Sequence, residues 1–209
     1  MRNRTMKKVR IMMWSVLCGL ASTVFAAQDG EVELRIVHTN DTHSCVMPVN
    51  PNSSDTALAD KGGFVRRAAL MRDLRAEDPD LLLFDSGDFS QGSAYYNLYK
   101  GDVEVKLMNE MRYDAATIGN HEFDFGLDNM ARIFREATFP IVCANYHFEG
   151  TVLEGLVRPY VILERKGVKV GVFGLGTQLE GMVASENYKG VTYEDPVTAA
   201  NRVADELKN

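Results

Sequence analysis

Three short clusters in this sequence carry side chains suited to holding divalent cations. They are Asp41-Thr42-His43, Asp85-Ser86-Gly87-Asp88 and Gly119-Asn120-His121-Glu122. Carboxylate, imidazole and amide ligands without a thiolate suit zinc, manganese or iron, and the sequence does not choose among them. Cations held this way lower the pKa of a bound water and stabilise developing negative charge. Each cluster alone is weak. An Asp-x-His triplet arises by chance and serves equally as a helix cap or a loop hydrogen bond. Gly-Asp after a strand is ordinary turn chemistry. All three in order, each at the exit of an expected strand, are hard to explain as turns.

The elements that must position these clusters alternate along the chain. Residues 34–37 read as a first strand. Gly62-Gly63 opens a helix with Phe64, Ala68 and Met71 at helical spacing, beside Leu70 and Leu74, and Pro79 breaks it. Residues 81–84 are a continuous apolar run, as expected of a strand covered on both faces. A second helix carries Val103, Leu107 and Met111 on one side, and residues 115–118 form the next strand. A third helix places Leu127, Met130, Ala131 and Phe134 on one face, followed by a strand at 141–144. Residues 160–165 and 168–173, separated by Lys166-Gly167, then read as a hairpin. Asp195 and Pro196 suit the cap and first residue of a last helix, with Ala200, Val203, Ala204 and Leu207 as its apolar stripe.

Ligand sites in open α/β sheets lie outside the carboxyl ends of the strands, so the three clusters should meet at one edge of one sheet. Near a strand end, residues two apart point to the same face, which lets Asp41 and His43 reach one ion. Glycine before Asp88 and before Asn120 permits tight turns that aim the next side chain inward.

Composition sets the context. The chain has 209 residues, 45% hydrophobic and 25% charged, ample for one domain with a sizeable core. Its net charge of −6 argues against a nucleic-acid-binding module, which shows a basic face. Residues 1–26 read as a secretory signal: basic residues up to Arg10, an uncharged apolar stretch from Ile11 to Ala21, and Val24-Phe25-Ala26 as a small-residue cleavage site. The apolar stretch is short of the roughly 20 residues a spanning helix needs, so no stable membrane span is expected after cleavage. Losing that segment removes five basic and no acidic residues and takes the net charge to −11. Bound cations are then the obvious source of local positive charge in so acidic a chain. Export, to a periplasm, cell surface or medium, would permit a disulfide between Cys45 and Cys143; two buried thiols is the other reading.

The stretches His38-Thr39-Asn40-Asp41-Thr42-His43, Gly87-Asp88-Phe89-Ser90-Gln91-Gly92-Ser93 and the octapeptide from Gly119 to Gly126 resemble the 5′-nucleotidase / 2′,3′-cyclic phosphodiesterase branch of the calcineurin-like metallophosphoesterases. Lys61-Gly62-Gly63 and Tyr113-Asp114-Ala115-Ala116-Thr117 extend the likeness over nearly all of residues 27–209. The resemblance implies a layered α-β-β-α sandwich, a partial catalytic domain truncated before its last strands. It implies two divalent metal ions: Asp41 and His43 on the first, Asp88 bridging, and Asn120 on the second. It makes His121, paired with Asp124, the dyad near the phosphoryl group. The implied activity is metal-dependent hydrolysis of nucleoside 5′-monophosphates or related nucleotides, with substrate-binding residues unassigned.

The family continues with a further histidine and a Gly-His-x-His block, and residues matching these are not in the chain. Of the four histidines only His147 follows the third motif, and it reads as a surface or loop residue. The chain ends on its last helix where another strand is due, so truncation is expected. A C-terminal nucleotide-binding domain or a second polypeptide would supply the remainder. The competing reading is a non-catalytic exported remnant that binds a partner or a single metal. With only Asp88 and Asn120 left for the second ion, the polypeptide alone should bind metal weakly and turn over slowly. A phosphomonoester assay with added manganese or zinc checks this, and brisk metal-dependent turnover would contradict it.

Overall fold

A computed structural model describes residues 9–13 and 31–208. Of the segment read as a secretory signal, only Val9–Met13 lies among the described residues. Its backbone forms β1, the outermost strand of a parallel sheet, with Val9 opposite Val32.

The chain then runs β2 (Val32–Thr39), α1 (Phe64–Glu77), β3 (Leu82–Asp85), α2 (Ala94–Tyr99), α3 (Asp102–Met111), β4 (Ala115–Ala116), α4 (Gly126–Glu136) and β5 (Ile141–Val142). After β5 come β6 (Tyr146–His147), β7 (Val157–Arg158), β8 (Tyr160–Arg165), β9 (Val168–Phe173), β10 (Thr192–Tyr193) and α5 (Pro196–Lys208). The main sheet has the order β1-β2-β3-β4-β5-β7, every neighbouring pair parallel. Because β2 to β5 add always on the same side, right-handed crossovers put all their helices on one face. Indeed α1 packs on α3, and α3 on α2 and α4. Leu81, Leu82 and Leu83 are wholly buried, as a strand covered on both faces requires.

The second face is covered by the β8–β9 hairpin. Lys166 and Gly167 both have positive φ (51° and 74°), which suits a two-residue turn between right-twisted strands. The hairpin tip is tied to the strand starts: Arg165 pairs with Asp114, and the Lys166 ammonium reaches Asp78 and the Glu33 carbonyl. Its far end reaches the strand exits, where the Ala144 N–H donates to the Gly174 carbonyl. Gly174 lies so close to Thr117 and the Val142 carbonyl that no side chain fits there. α5 closes the stack, with buried Ala199 and Val203 against Ala144, Tyr160 and Phe173. The cap at Asp195 forms as expected, accepting from the Thr198 N–H at 2.9 Å. The layers are thus helices, parallel sheet, hairpin and helix.

Several expectations change in detail. α2 was not anticipated; Ser93 caps it by accepting from the Tyr95 N–H. The buried face of α3 is Val105, Met108 and Met111 with Glu104, so Val103 and Leu107 sit at its margin. The helix is rotated by its place between α1 and α4, which local periodicity does not report. Leu70, expected on the apolar side of α1, is largely exposed. β4 pairs over two residues only, because the chain turns away towards Gly119 although Thr117 and Ile118 stay buried. His147 is half-buried on β6, with its Nε2 3.3 Å from the Glu194 carboxylate, rather than on an open loop. Cys45 and Cys143 are both free thiols, the second buried.

Truncating Leu82, enclosed on both faces, should cost about 2–5 kcal/mol in Leu82→Ala. Val65→Ala on the exposed side of α1 should stay within about 0.5 kcal/mol. Urea denaturation of both variants against the parent measures the contrast.

Candidate metal centre

The β2–β3 ladder does not stop where the strands do. Beyond it, the Ser86 N–H donates to the Thr39 carbonyl, Asp41 to Gly87, His43 to Asp88 and Ser44 to Phe89, all within 2.8–3.0 Å. The two exit loops are therefore zipped side by side. To stay zipped while turning, Asp41, His43, Ser44 and Asp88 adopt left-handed backbone, with φ between 42° and 55°. Each such non-glycine residue costs on the order of 1 kcal/mol. Asp41 and His43 hence converge through left-handed turns, not through the pleat of an extended strand.

Their ligand atoms and that of Asp88 lie within 4.8 Å of one another. The His43 Nε2 is 3.8 Å from Asp41 Oδ1. His43 Nδ1 is buried and has no protein partner. Two carboxylates and an imidazole with an orphaned ring nitrogen fit a divalent cation of the zinc, manganese or iron type.

The loop after β4 joins through a second set of bonds. The Glu122 carboxylate, wholly buried, accepts from the backbone N–H groups of Asp88 (3.0 Å), Ser90 (3.1 Å) and Gly119 (2.6 Å). Burial, and then the neighbouring Asp88 charge, push its pKa up, while those three donors pull it down. Asp88 Oδ1 in turn accepts from the His121 N–H at 2.9 Å. Gly87 needs its glycine for a φ of 95°. Gly119 does not, since its φ is not positive; any Cβ there would collide with the Asp88 carboxylate and backbone nitrogen. The glycine before Asn120 therefore serves close approach rather than turning.

His121 begins a short 3-10 turn, with Asn120 half-buried just before it. The His121 Nδ1 lies 3.0 Å from Asp124 Oδ2. Its ring meets that of His43 edge-on, centroids 5.2 Å apart. The dyad thus abuts the carboxylate–imidazole cluster. Asn187 steadies it from the far side by donating to the Asp124 carbonyl. Asp41, His43 and Asp88 are brought together, with His121 and Asp124 alongside. Asn120 is held near by its neighbours, with its carbonyl accepting from the Phe123 N–H.

Residues 34–206 match the calcineurin-like phosphoesterases. The chain belongs to that family. Its members use a dinuclear divalent metal site, and Asp41, His43 and Asp88 form a candidate for part of one. The chain is 38% identical over 183 residues to a snake venom 5′-nucleotidase from Crotalus adamanteus, covering 85% of this chain and 31% of that protein. It is 35% identical over 200 residues to the 5′-nucleotidase of Homo sapiens, covering 93% and 34% respectively. The crystal structure of a 5′-nucleotidase precursor from Thermus thermophilus superposes with a TM-score of 0.73 at 35% identity, covering 82% of this chain and 34% of that one. The chain spans about a third of the length of the curated relatives it matches.

Two carboxylates to which sequence reading gave no role support the site in this member of the family. Glu122 is one, hidden within the third motif. Asp85 is the other: buried at the end of β3, it accepts from the Thr39 hydroxyl at 2.6 Å and the Gly87 N–H at 2.9 Å. Burial pushes its pKa up to about 7, against the pull of those two bonds. A folded-state pKa raised this far means the fold binds the proton more tightly than the unfolded chain. Stability from this group is complete below about pH 4 and is lost as pH rises towards 7, by up to about 4 kcal/mol. Asp85→Asn should flatten that part of the stability profile, which thermal melts at pH 5 and pH 8 compare. An unchanged difference between the two pH values would show that Asp85 does not titrate in this range.

Proposed function

We propose that this chain carries part of the catalytic domain of an exported phosphoester hydrolase acting on nucleoside 5′-monophosphates or related nucleotides. The observation that carries the reading is the convergence of Asp41, His43 and Asp88 beside the His121–Asp124 pair at the exits of adjacent parallel strands. Likeness to proteins named 5′-nucleotidases supports the substrate class.

When bound, a pair of divalent cations supplies an activated water and charge stabilisation for in-line displacement at phosphorus. The chain's own residues would do the rest. Asp41 and His43 would hold one ion, Asp88 would bridge because a carboxylate can neutralise two cations, and Asn120 would reach the second. Asp88 keeps its orientation by accepting the His121 N–H while giving its own N–H to Glu122. The Asp124 carboxylate, as acceptor, keeps a proton on His121 Nδ1. With a second proton on Nε2, as the imidazolium, His121 would donate to the phosphoryl group or protonate the departing oxygen, and the Asp124 carboxylate would balance its charge. Residues 1–26 would direct export, and a C-terminal nucleotide-binding domain or a second polypeptide would be the partner of this chain.

Hydrolysis of adenosine 5′-monophosphate by the purified chain, with manganese or zinc, tests the proposal. Expected turnover is slow, abolished by chelation and by Asp88→Asn, and cut roughly a hundredfold or more by His121→Ala. Turnover that survives Asp88→Asn would overturn the role given to Asp88, and binding of metal without any hydrolysis would favour a non-catalytic exported domain.

A further inference from the structure

A polar chain runs behind the metal-binding loop and belongs to none of the residues assigned above. Glu104, in the first turn of α3, is 5% exposed. Its Oε1 accepts from the hydroxyl of Ser44, the residue after His43. The Ser44 oxygen lies 2.5 Å from the Ser93 hydroxyl, and Ser93 accepts from the Tyr95 N–H at 3.1 Å. With a carboxylate as terminal acceptor the direction is set: Tyr95 gives to Ser93, Ser93 to Ser44, and Ser44 to Glu104. The other oxygen, Oε2, is buried without a protein partner, as is Nε of Arg67. Both residues line one small cavity of about 20 Å³, room for one water but not for a substrate.

The placement matters because Ser44 is one of the strained residues. It has φ 52° directly after His43 at 42°, so the loop persists only if its surroundings over-determine it. Backbone bonds to the loop after β3 hold one side; Gly92 presses on the His43 carbonyl, leaving no space for a side chain. On the other side α1 holds the residues just beyond, Arg67 donating to the Cys45 carbonyl and the Phe64 N–H to that of Val46, while the hydroxyl–carboxylate chain ties Ser44 itself to α3.

On these grounds we propose that Glu104 is a positioning residue: acting through Ser44, it holds residues 41–44 in the left-handed form that presents Asp41 and His43 to a cation. This rests on the metal-centre reading above. The plainer role, a charge favouring the N-terminus of α3, makes different predictions. Glu104→Gln loses the charge but keeps an oxygen for Ser44, whereas Glu104→Ala loses both.

Manganese titration followed by the electron paramagnetic resonance of the free ion reads affinity. Hydrogen exchange of residues 41–46 in metal-free protein reads the loop itself. Glu104→Ala and Ser44→Ala should each weaken manganese binding about tenfold or more and speed exchange in 41–46. The double variant should be no worse than either alone, because both cut the same chain. Glu104→Gln should stay close to the parent in both measurements. A folded Glu104→Ala protein with parental affinity and parental exchange would overturn the proposal. If Glu104→Ala does not fold, parental behaviour of Ser44→Ala overturns it equally. Failure of the metal-centre reading looks different: the parent would show no manganese binding that Asp88→Asn removes, and the exchange measurement would still decide whether Glu104 holds the loop.

Discussion

One buried carboxylate holds the rest of the site in register. Glu122 lies within the loop after β4, yet two of its three backbone partners belong to the loop after β3. An unpaired carboxylate in that position would be prohibitively costly, and three N–H donors are what make it tolerable. The same bonds fix the peptide after Gly87 and the one before Gly119, where the backbones approach too closely for any side chain. Asp88 is thereby clamped by its own N–H, and its carboxylate is oriented by the His121 N–H. Two loops with no strand pairing of their own become one rigid platform.

The loop after β2 is secured by different means towards the same end. It extends the parallel ladder beyond the strands at the cost of left-handed backbone at Asp41, His43 and Ser44. Strain of this kind survives only where several interactions agree, and it clusters at functional sites. Here the agreement comes from the zipped β3 loop in front and the Ser44–Glu104 contact behind. Polar groups buried between loops, rather than apolar packing, set the geometry of the centre. The apolar layers determine only where those loops emerge.

Much of the architecture was readable from local pattern. The triple-leucine run of β3, the Lys166-Gly167 turn and the Asp195-Pro196 helix start all follow from residue properties that act over a few positions. The motifs at 41–43, 85–88 and 119–122 were legible as ligands for the same reason: chemistry is carried by residue type. What local pattern missed is consistently non-local. The buried face of α3 depends on helices to either side, the short pairing of β4 on where its chain must turn, and the contact of His147 on a carboxylate just past β10, far along the sequence.

The sequence by itself determined which side chains could bind a cation, the order of strands and helices that carries them, and the family resemblance written in the three motifs. Only the tertiary structure decided how those side chains meet. Convergence of Asp41 and His43 comes from left-handed turns, Gly119 is required by a neighbour's carboxylate rather than by its own torsion, and Glu122, Asp85 and Glu104 act from within the protein. The physical reason is common to all of them. A buried polar group acquires its role from the partner that satisfies it, and that partner lies on another segment of the chain.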